Sequence, residues 1–347
     1  MSKEAQPPVP QPPATGDVVA IVVNYGTADL ALAAVGSLLD PSLLDPSLPD
    51  HSRLAHVHLV DNASPGGDGL RLAAEIAARG WGAQVTLWAE TVNHGFGRGN
   101  NLVIDRLLAE GGGTKVFLLN PDAQVTGDAL GLLAAFLDDH PGVGAVGARI
   151  EKPQGDGPPC PVTAAFRFPS LVSIFAQSVG FGPVTRLFAA WTVALPPDQP
   201  TGPVDWVSGA AVMFRLEALR AVGGFDPDFF LYHEEVELMH RLARGGWQTW
   251  HLAEALALHA EGAATGVRSN EGLRKRRPGY WYDSWRHYMT KTHGRAGALL
   301  AAGLWMTGAT LNHVIAALRR RPPAAPLQFY GDLWTHVLHP LLRPPHG

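Results

Sequence analysis

Short apolar runs that end in oxygen-bearing side chains alternate with amphipathic stretches over the first 150 residues. Val18 to Val23 runs into Asn24-Tyr25, His56 to Val60 into Asp61-Asn62, and Val116 to Leu119 into Asn120-Pro121-Asp122. Gln84 to Ala89 and Val143 to Ile150 read as two further strands. Between the runs, Ala28–Leu39, Gly69–Arg79, Asn100–Ala109 and Gly127–His140 carry the wider spacing of helices. Such alternation predicts an α/β chain with right-handed crossovers and a mainly parallel central sheet flanked by helices. Ligands of open α/β sheets gather at the carboxyl ends of the strands. The three polar run-ends therefore predict an oxygen-rich, metal-capable rim on an apolar sheet.

The texture changes from Glu151 to Pro203, where prolines and glycines bracket an apolar middle at Leu171 to Phe188. This stretch reads as an irregular insertion or cover. Regular structure resumes with a strand at Trp206 to Arg215 and a helix at Leu216 to Val222. The turn Gly223 to Pro227, a helix at Glu234 to Arg244, a strand at Gln248 to Leu252, and the run Ala255 to Leu258 before His259 follow. Ala296 to Leu318 has no charged residue and precedes Arg319-Arg320-Arg321. It is long enough to cross a bilayer. Its glycines, Asn312 and His313, with leucines near helical spacing, favour an amphipathic helix, either packed on the domain or lying on a membrane.

Composition narrows this picture. The 347 residues are 46% hydrophobic with net charge −4, which offers no basic field for nucleic acid. The single cysteine, Cys160, excludes an internal disulfide framework and a cysteine-rich zinc site, and fits a reducing, cytoplasmic setting. Residues 1–16 are proline-rich, lack an apolar signal core, and read as a disordered leader. The expected organisation is a catalytic domain over 17–294, with a nucleotide-binding half at 17–150 and an acceptor half at 204–294. A helical extension over 295–347 would follow, possible contact with the cytoplasmic face of a membrane included.

Several segments carry candidate chemistry. Asp61, at a strand end, can accept bonds from a ribose or base, or simply form the turn. In Asn93-His94-Gly95-Phe96-Gly97-Arg98-Gly99-Asn100-Asn101, three glycines would let backbone N–H groups approach an anion, with Arg98 adding charge. Asp122 can hold a hard divalent cation, Mg²⁺ or Mn²⁺, with Asn120 supporting it and His259 and Thr265 on a second loop. Glu234 and Glu235 follow the apolar wall Phe229 to Tyr232; one of them can serve as a base, although acids also suit a helix start. Small residues in Trp206-Val207-Ser208-Gly209-Ala210 mark close approach of a ligand or of another backbone. Arg274 to Arg277, Arg286 and Lys291 could meet a diphosphate or an anionic head group, or form a solvated face.

In their joint order these segments resemble the inverting family 2 glycosyltransferases of the GT-A fold, particularly the bacterial rhamnosyltransferase-like branch. The likeness runs from Val18 to Gly294. It implies that Asp61 binds the nucleoside, that Asp122 takes the metal place of an Asp-x-Asp motif, and that His259 assists the metal or diphosphate. Glu235 stands where the catalytic base usually stands, with Glu234 as rival. Asn120 replaces the first carboxylate of the motif, and Glu235 replaces the more usual Asp. The nucleotide is then expected among Asn24, Tyr25, Asp61, Asn93, Gly95, Phe96, Arg98, Asn100 and Asn120. The sugar or acceptor is expected beside Trp206, Ser208, Gly209 and Ala210. The implied reaction moves a sugar, with dTDP-rhamnose first and UDP-hexoses next as donor, to a glycan or lipid-linked acceptor. Asp61, Asp122 and Glu235 should line one cavity. A sugar-phosphate nucleotidyltransferase or a non-catalytic binder would be the alternatives.

Overall fold

The computed structural model describes residues 16–39, 53–155, 157–260 and 275–343. Residues 1–15 of the leader, the prolines at 41, 46 and 49, Thr265 and Arg274 lie outside the described residues.

The first half alternates as its pattern predicts: β1 (Val18–Asn24), α1 (Ala28–Leu39), β2 (Leu54–Asp61), α2 (Asp68–Ala78), β3 (Val85–Ala89), α3 (Gly95–Glu110) and β4 (Lys115–Leu119). Next come β5 (Ala123–Thr126), α4 (Ala129–Asp139) and β6 (Val143–Gln154). Residues along β1 take opposite sides in strict alternation. Val18, Ala20 and Val22 pack with Ala31, Leu32 and Val35 of α1. Val19, Ile21 and Val23 pack with Val103, Ile104 and Leu107 of α3. A strand covered on both faces has no polar positions to show, so it reads as an unbroken apolar run.

The region from 151 to 203 is not irregular. It contains β7 (Gly157–Val162), which hairpins onto β6, then β8 (Ala165–Phe166), α5 (Leu171–Val179) and α6 (Gly182–Leu187). Ser170 and Ser173 cap α5 reciprocally, a signal overlooked among the neighbouring prolines. The single strand expected at 206–215 is also broken in two. After β9 (Gly202–Val204), β10 (Trp206–Val207) pairs with β8 in a separate small sheet, while β11 (Ala211–Arg215) enters the main one. The turn between them is held by Ser208 N–H donating to Ala164 O at 2.9 Å.

The chain continues through α7 (Leu216–Val222), α8 (Glu234–Arg244), β12 (Gln248–His259), α9 (Gly279–Leu318), α10 (Phe329–Leu333) and α11 (His339–Leu342). The main sheet has the order β3-β2-β1-β4-β11-β6-β12-β5. Strands β3, β2, β1 and β4 are parallel, as are β6 and β12, and β11 lies antiparallel between β4 and β6. β12 joins two apolar runs across a register shift between Leu252 and Leu256. α9 bends at Gly294 (φ 70°), and its second part docks on α5, where Asn312 Nδ2 donates to Val179 O at 2.8 Å. A third apolar cluster lies there, built from Ile174, Phe229, Val236, Tyr282, Trp285 and the alanines of α9.

Candidate active site

The ends of β1 and β2 form a closed hydrogen-bond lattice. Asn24 is fully buried, and its Nδ2 lies 3.1 Å from Asp61 Oδ1, 3.0 Å from Asp68 Oδ2 and 3.2 Å from Ser64 Oγ. Its Oδ1 accepts from the N–H and hydroxyl of Thr27. Asn24 thus holds Asp61 in place and has no face left for a ligand, whereas Tyr25 beside it is exposed. Asp61 is 5% exposed and also accepts from the Ser64 hydroxyl. Asn62 is the next tie. Its Nδ2 donates to Asn93 Oδ1 at 3.1 Å and Gly95 O at 2.9 Å, and its Oδ1 accepts from His94 N–H.

The glycine-rich segment is not a loop ahead of a helix. α3 begins at Gly95, five residues before the expected start, so Gly97 and Gly99 lie within it. Gly95 has φ 75°, and a Cβ there would meet Phe230 O at 1.8 Å. A Cβ on Gly97 or Gly99 would crowd Phe225 or Val23 at 3.0 and 3.1 Å. These glycines serve close packing of α3 rather than an anion cradle. Asn100 is turned inward, donating to Phe96 O, and Arg98 Nε donates to His94 O. Phe96 N–H donates to Phe230 O, which joins the start of α3 to the approach to α8.

Asp122 and His259 meet through a strand that the sequence pattern did not reveal. β5 pairs with the end of β12 so that Ala123 faces His259, and Ala260 N–H donates to Asp122 O at 3.0 Å. His259 Nε2 then lies 3.0 Å from Asp122 Oδ1. Asp122 is 8% exposed. One carboxylate and one imidazole, with substrate oxygens to complete the set, suit a divalent cation such as Mg²⁺ or Mn²⁺. These two residues therefore fit the expected metal. Asp226, Asp228 and His287 also cluster closely enough to hold an ion. The Lys291 ammonium already bonds Asp226 there, and that ion pair accounts for the cluster.

Asn120 N–H donates to Ala210 O at 2.9 Å, which fixes the turn at 208–210 against the Asn120–Asp122 turn. The far side of that turn reaches α8, because a Cβ on Gly209 would stand 3.8 Å from Glu235 Oε1 and 3.4 Å from Phe96. Ser208, with its Oγ accepting from Ala210 N–H, shapes the same turn. The backbone leading into α8 is strained: Tyr232 and His233 both take left-handed conformations, at φ 70° and 68°. Such strain costs on the order of 1–3 kcal/mol per residue and collects at functional sites.

The two glutamates differ in surroundings. Glu234 is 2% exposed, and its Oε2 has no hydrogen-bond partner among the described residues. Burial, then the adjacent Glu235 charge, pushes its carboxyl well above the usual range. Burial raises Glu235 as well. Glu235 nevertheless lines a cavity of about 410 Å³, together with Trp206, His233, Arg277, Trp281, Trp285 and Trp305. Glu235 Oε2 and His233 Nε2 are buried without partners among the described residues. Burial brings the His233 imidazole down to about 4, so it is neutral. Asp61 and Asp122 do not line this cavity. The expectation that Asp61, Asp122 and Glu235 line one cavity is therefore not met: Glu235 lines this one, and the strand-end rim touches it only indirectly, through the turn of Gly209 and Ala210.

Sequence reasoning missed Asn62 and Ser64 as the groups that fix Asp61 and the start of α3. It also missed the tryptophans of α9, whose spacing at Trp281 and Trp285 places both on one helix face. Among the basic residues, Lys291 pairs with Glu237 at 2.6 Å and Arg286 with Asp283 at 3.3 Å, and neither is a free cation.

The mixed sheet with its helical flanks defines the GT-A class. The chain superposes on the mannosyltransferase PcManGT from Pyrobaculum calidifontis, in complex with GDP-Man and Mn2+, at a TM-score of 0.52 and 19% identity, covering 99% of this chain and 85% of that one. GalNAc-T7 with UDP, GalNAc and Mn2+ superposes at 0.53 and 12% identity, covering 93% and 56%. A family model for glycosyl transferase family group 2 matches residues 115–338, and the chain belongs to that family. It is 33% identical over 156 residues to the N-acetylglucosaminyl-diphospho-decaprenol L-rhamnosyltransferase of Mycobacterium tuberculosis, over 44% of this chain and 48% of that protein. It is 27% identical over 153 residues to the low-salt glycan biosynthesis hexosyltransferase Agl10 of Haloferax volcanii, over 44% of each. The matches thus span about half the length of these curated relatives.

Proposed function

We propose that the protein is an inverting glycosyltransferase that moves a sugar from a nucleotide diphosphate sugar to a hydroxyl of a glycan or lipid-linked acceptor. The observation that carries this reading is Glu235: it lines the cavity while its Oε1 approaches Gly209, on the turn that Ala210 O ties to Asn120 N–H. Asp61 accepts a donor group of the nucleoside, and Asp122 and His259 would hold a divalent cation. When bound, that cation supplies Lewis-acid neutralisation of charge on the departing diphosphate. The acceptor hydroxyl enters from the cavity, and Glu235 takes its proton as the oxygen bonds to C1. The bond from C1 to the diphosphate oxygen breaks on the opposite face, so the configuration inverts and the nucleoside diphosphate leaves. Glu234, fully enclosed and raised furthest, keeps its proton and leaves the base role to Glu235.

The similarity to a rhamnosyltransferase supports dTDP-rhamnose as the first donor to test, with UDP-hexoses next, and a place in cell-surface polysaccharide synthesis. A panel of nucleotide sugars, assayed for nucleoside diphosphate release with Mn²⁺ and with chelator, tests the reading. Release from one donor that stops with chelator is expected; binding without release from any donor would instead indicate a non-catalytic relative.

A peripheral membrane location on the cytoplasmic face belongs to the same proposal. α9 is long and apolar enough to span a bilayer, with a third of its most apolar window buried. One face of its second part packs on α5, while Leu300, Leu311, Val314 and Leu318 are exposed on the way to Arg319, Arg320 and Arg321. An apolar stripe ending in cations suits an anionic bilayer surface. Flotation with anionic liposomes should fall sharply when the three arginines become glutamates; equal recovery of both proteins would contradict surface docking.

A further inference from the structure

Acidic residues are unevenly spread along the chain. Of the 31 present, none lies between 157 and 197 or between 284 and 331. The fold brings these two stretches together, because α5 packs on the second part of α9. Gly308 lets the helices close, since a Cβ there would overlap Ser178 Oγ, and a Cβ on Gly180 would stand 2.9 Å from Asn312 Nδ2. A protein of net charge −4 therefore carries two adjoining stretches without a carboxylate, in which Arg186, Arg319, Arg320 and Arg321 are exposed. Apolar exposure collects in the same place: nine of the fifteen large apolar side chains exposed among the described residues belong to these stretches. Leu187, at 74% exposure, and Trp191, at 47%, are not on α9 but on α6 and the short turn after it. Neither element buries a residue, so Leu187 and Trp191 serve no core of this chain. α6 starts beside the basic end of α9, with the Arg319 guanidinium 4.7 Å from the ring centre of Phe181.

An apolar face edged by arginines suits an anionic bilayer, and tryptophan favours the headgroup boundary. We infer that α6 and Trp191 form a second membrane anchor, which enters an anionic bilayer surface beside α9. This rests on the surface docking proposed above and adds to it an element outside the apolar run of α9. A second copy of the chain suits the face less well. Two copies meeting through it would set arginines against arginines, with no acid in either stretch to pair them.

Flotation of the full chain with vesicles of phosphatidylcholine, alone or mixed with phosphatidylglycerol, tests the inference. The wild type should float with the mixed vesicles. Leu187→Ser combined with Trp191→Ser should lower its partition about tenfold or more while the arginines remain. Leu70→Ser, also exposed but on α2, should change nothing. A polarity-sensitive dye on Ala190→Cys, in a Cys160→Ser background, should shift to the blue on the mixed vesicles. Circular dichroism should be the same for all variants, because the changed positions on α6 and its turn are exposed. If the wild type does not float, or floats equally with both vesicle types, the docking reading falls and this inference with it. If it floats and responds to the change of arginines to glutamates but not to the loss of Leu187 and Trp191, the inference alone is overturned. A dye that does not shift overturns it as well. So does a double variant that turns a dimer into a monomer at unchanged flotation, which would assign the face to a second copy.

Discussion

The strand-end rim and the α8 entrance treat their polar groups in opposite ways. On the rim, Asn24 ties Asp61, Ser64 and Asp68 together, with Asp61 held through its Oδ1, and Asn62 closes over Asn93 and Gly95. At α8, Glu234, Glu235 and His233 each keep a buried atom without a partner among the described residues, behind two residues in left-handed backbone. A closed lattice presents a rigid surface whose geometry does not depend on a ligand. Buried groups without partners are costly, of order 1–3 kcal/mol each, and raise proton affinity at Glu235, the proposed base. Rigidity therefore belongs to the proposed recognition side and stored cost to the proposed reacting side.

The largest expected departure from this contrast is at Asp122. Asp122→Ala should lower kcat/KM by about 10³-fold or more, given several kcal/mol of charge stabilisation, with activity not restored by excess Mn²⁺. Steady-state assays across metal concentrations check this. Next comes the contact between the two regions. Gly95→Ala forces a Cβ toward Phe230 O and a side chain into positive φ, so urea unfolding should show a loss of roughly 2–4 kcal/mol. On the rim, Asp61→Asn keeps the lattice partly bonded but removes the charge; donor KM should rise about tenfold with kcat little changed.

The smallest effect is linked to pH. Glu234 has its folded pKa raised, so its contribution to stability is complete below the ordinary carboxylate value and is lost as pH rises through the raised one. Glu234→Gln cannot ionise and escapes that loss. Its Tm relative to wild type should therefore increase as pH rises above the ordinary carboxylate range; a constant difference would place the proton elsewhere.

Much of the rim was legible because its signals are local. An apolar strand covered on both faces, ending at Asn24, Asp61 or Asp122, shows itself in a few consecutive residues. What escaped depends on pairing at long range. His259 was expected to act with Asp122, but the pairing of β5 with the end of β12, across 130 or more positions, that brings them together was not, because four residues of β5 are too short to announce a strand. The glycines at 95, 97 and 99 read as a loop, since nothing local reveals that Phe225, Phe230 and Val23 press against them. The cavity escaped for the same reason: its walls come from 169–178, β10, the turn before α8 and α9, which meet only in the folded chain.

Which glutamate takes the acceptor proton is the most direct test of the proposed chemistry. Once a donor and acceptor are found, Glu235→Gln and Glu234→Gln can be compared in single-turnover transfer alongside nucleotide binding. General-base loss predicts that Glu235→Gln slows transfer by about 10²–10⁴-fold at unchanged nucleotide affinity, while Glu234→Gln stays within about tenfold of wild type. Near-normal transfer by Glu235→Gln, or the reverse ranking of the two variants, would contradict it.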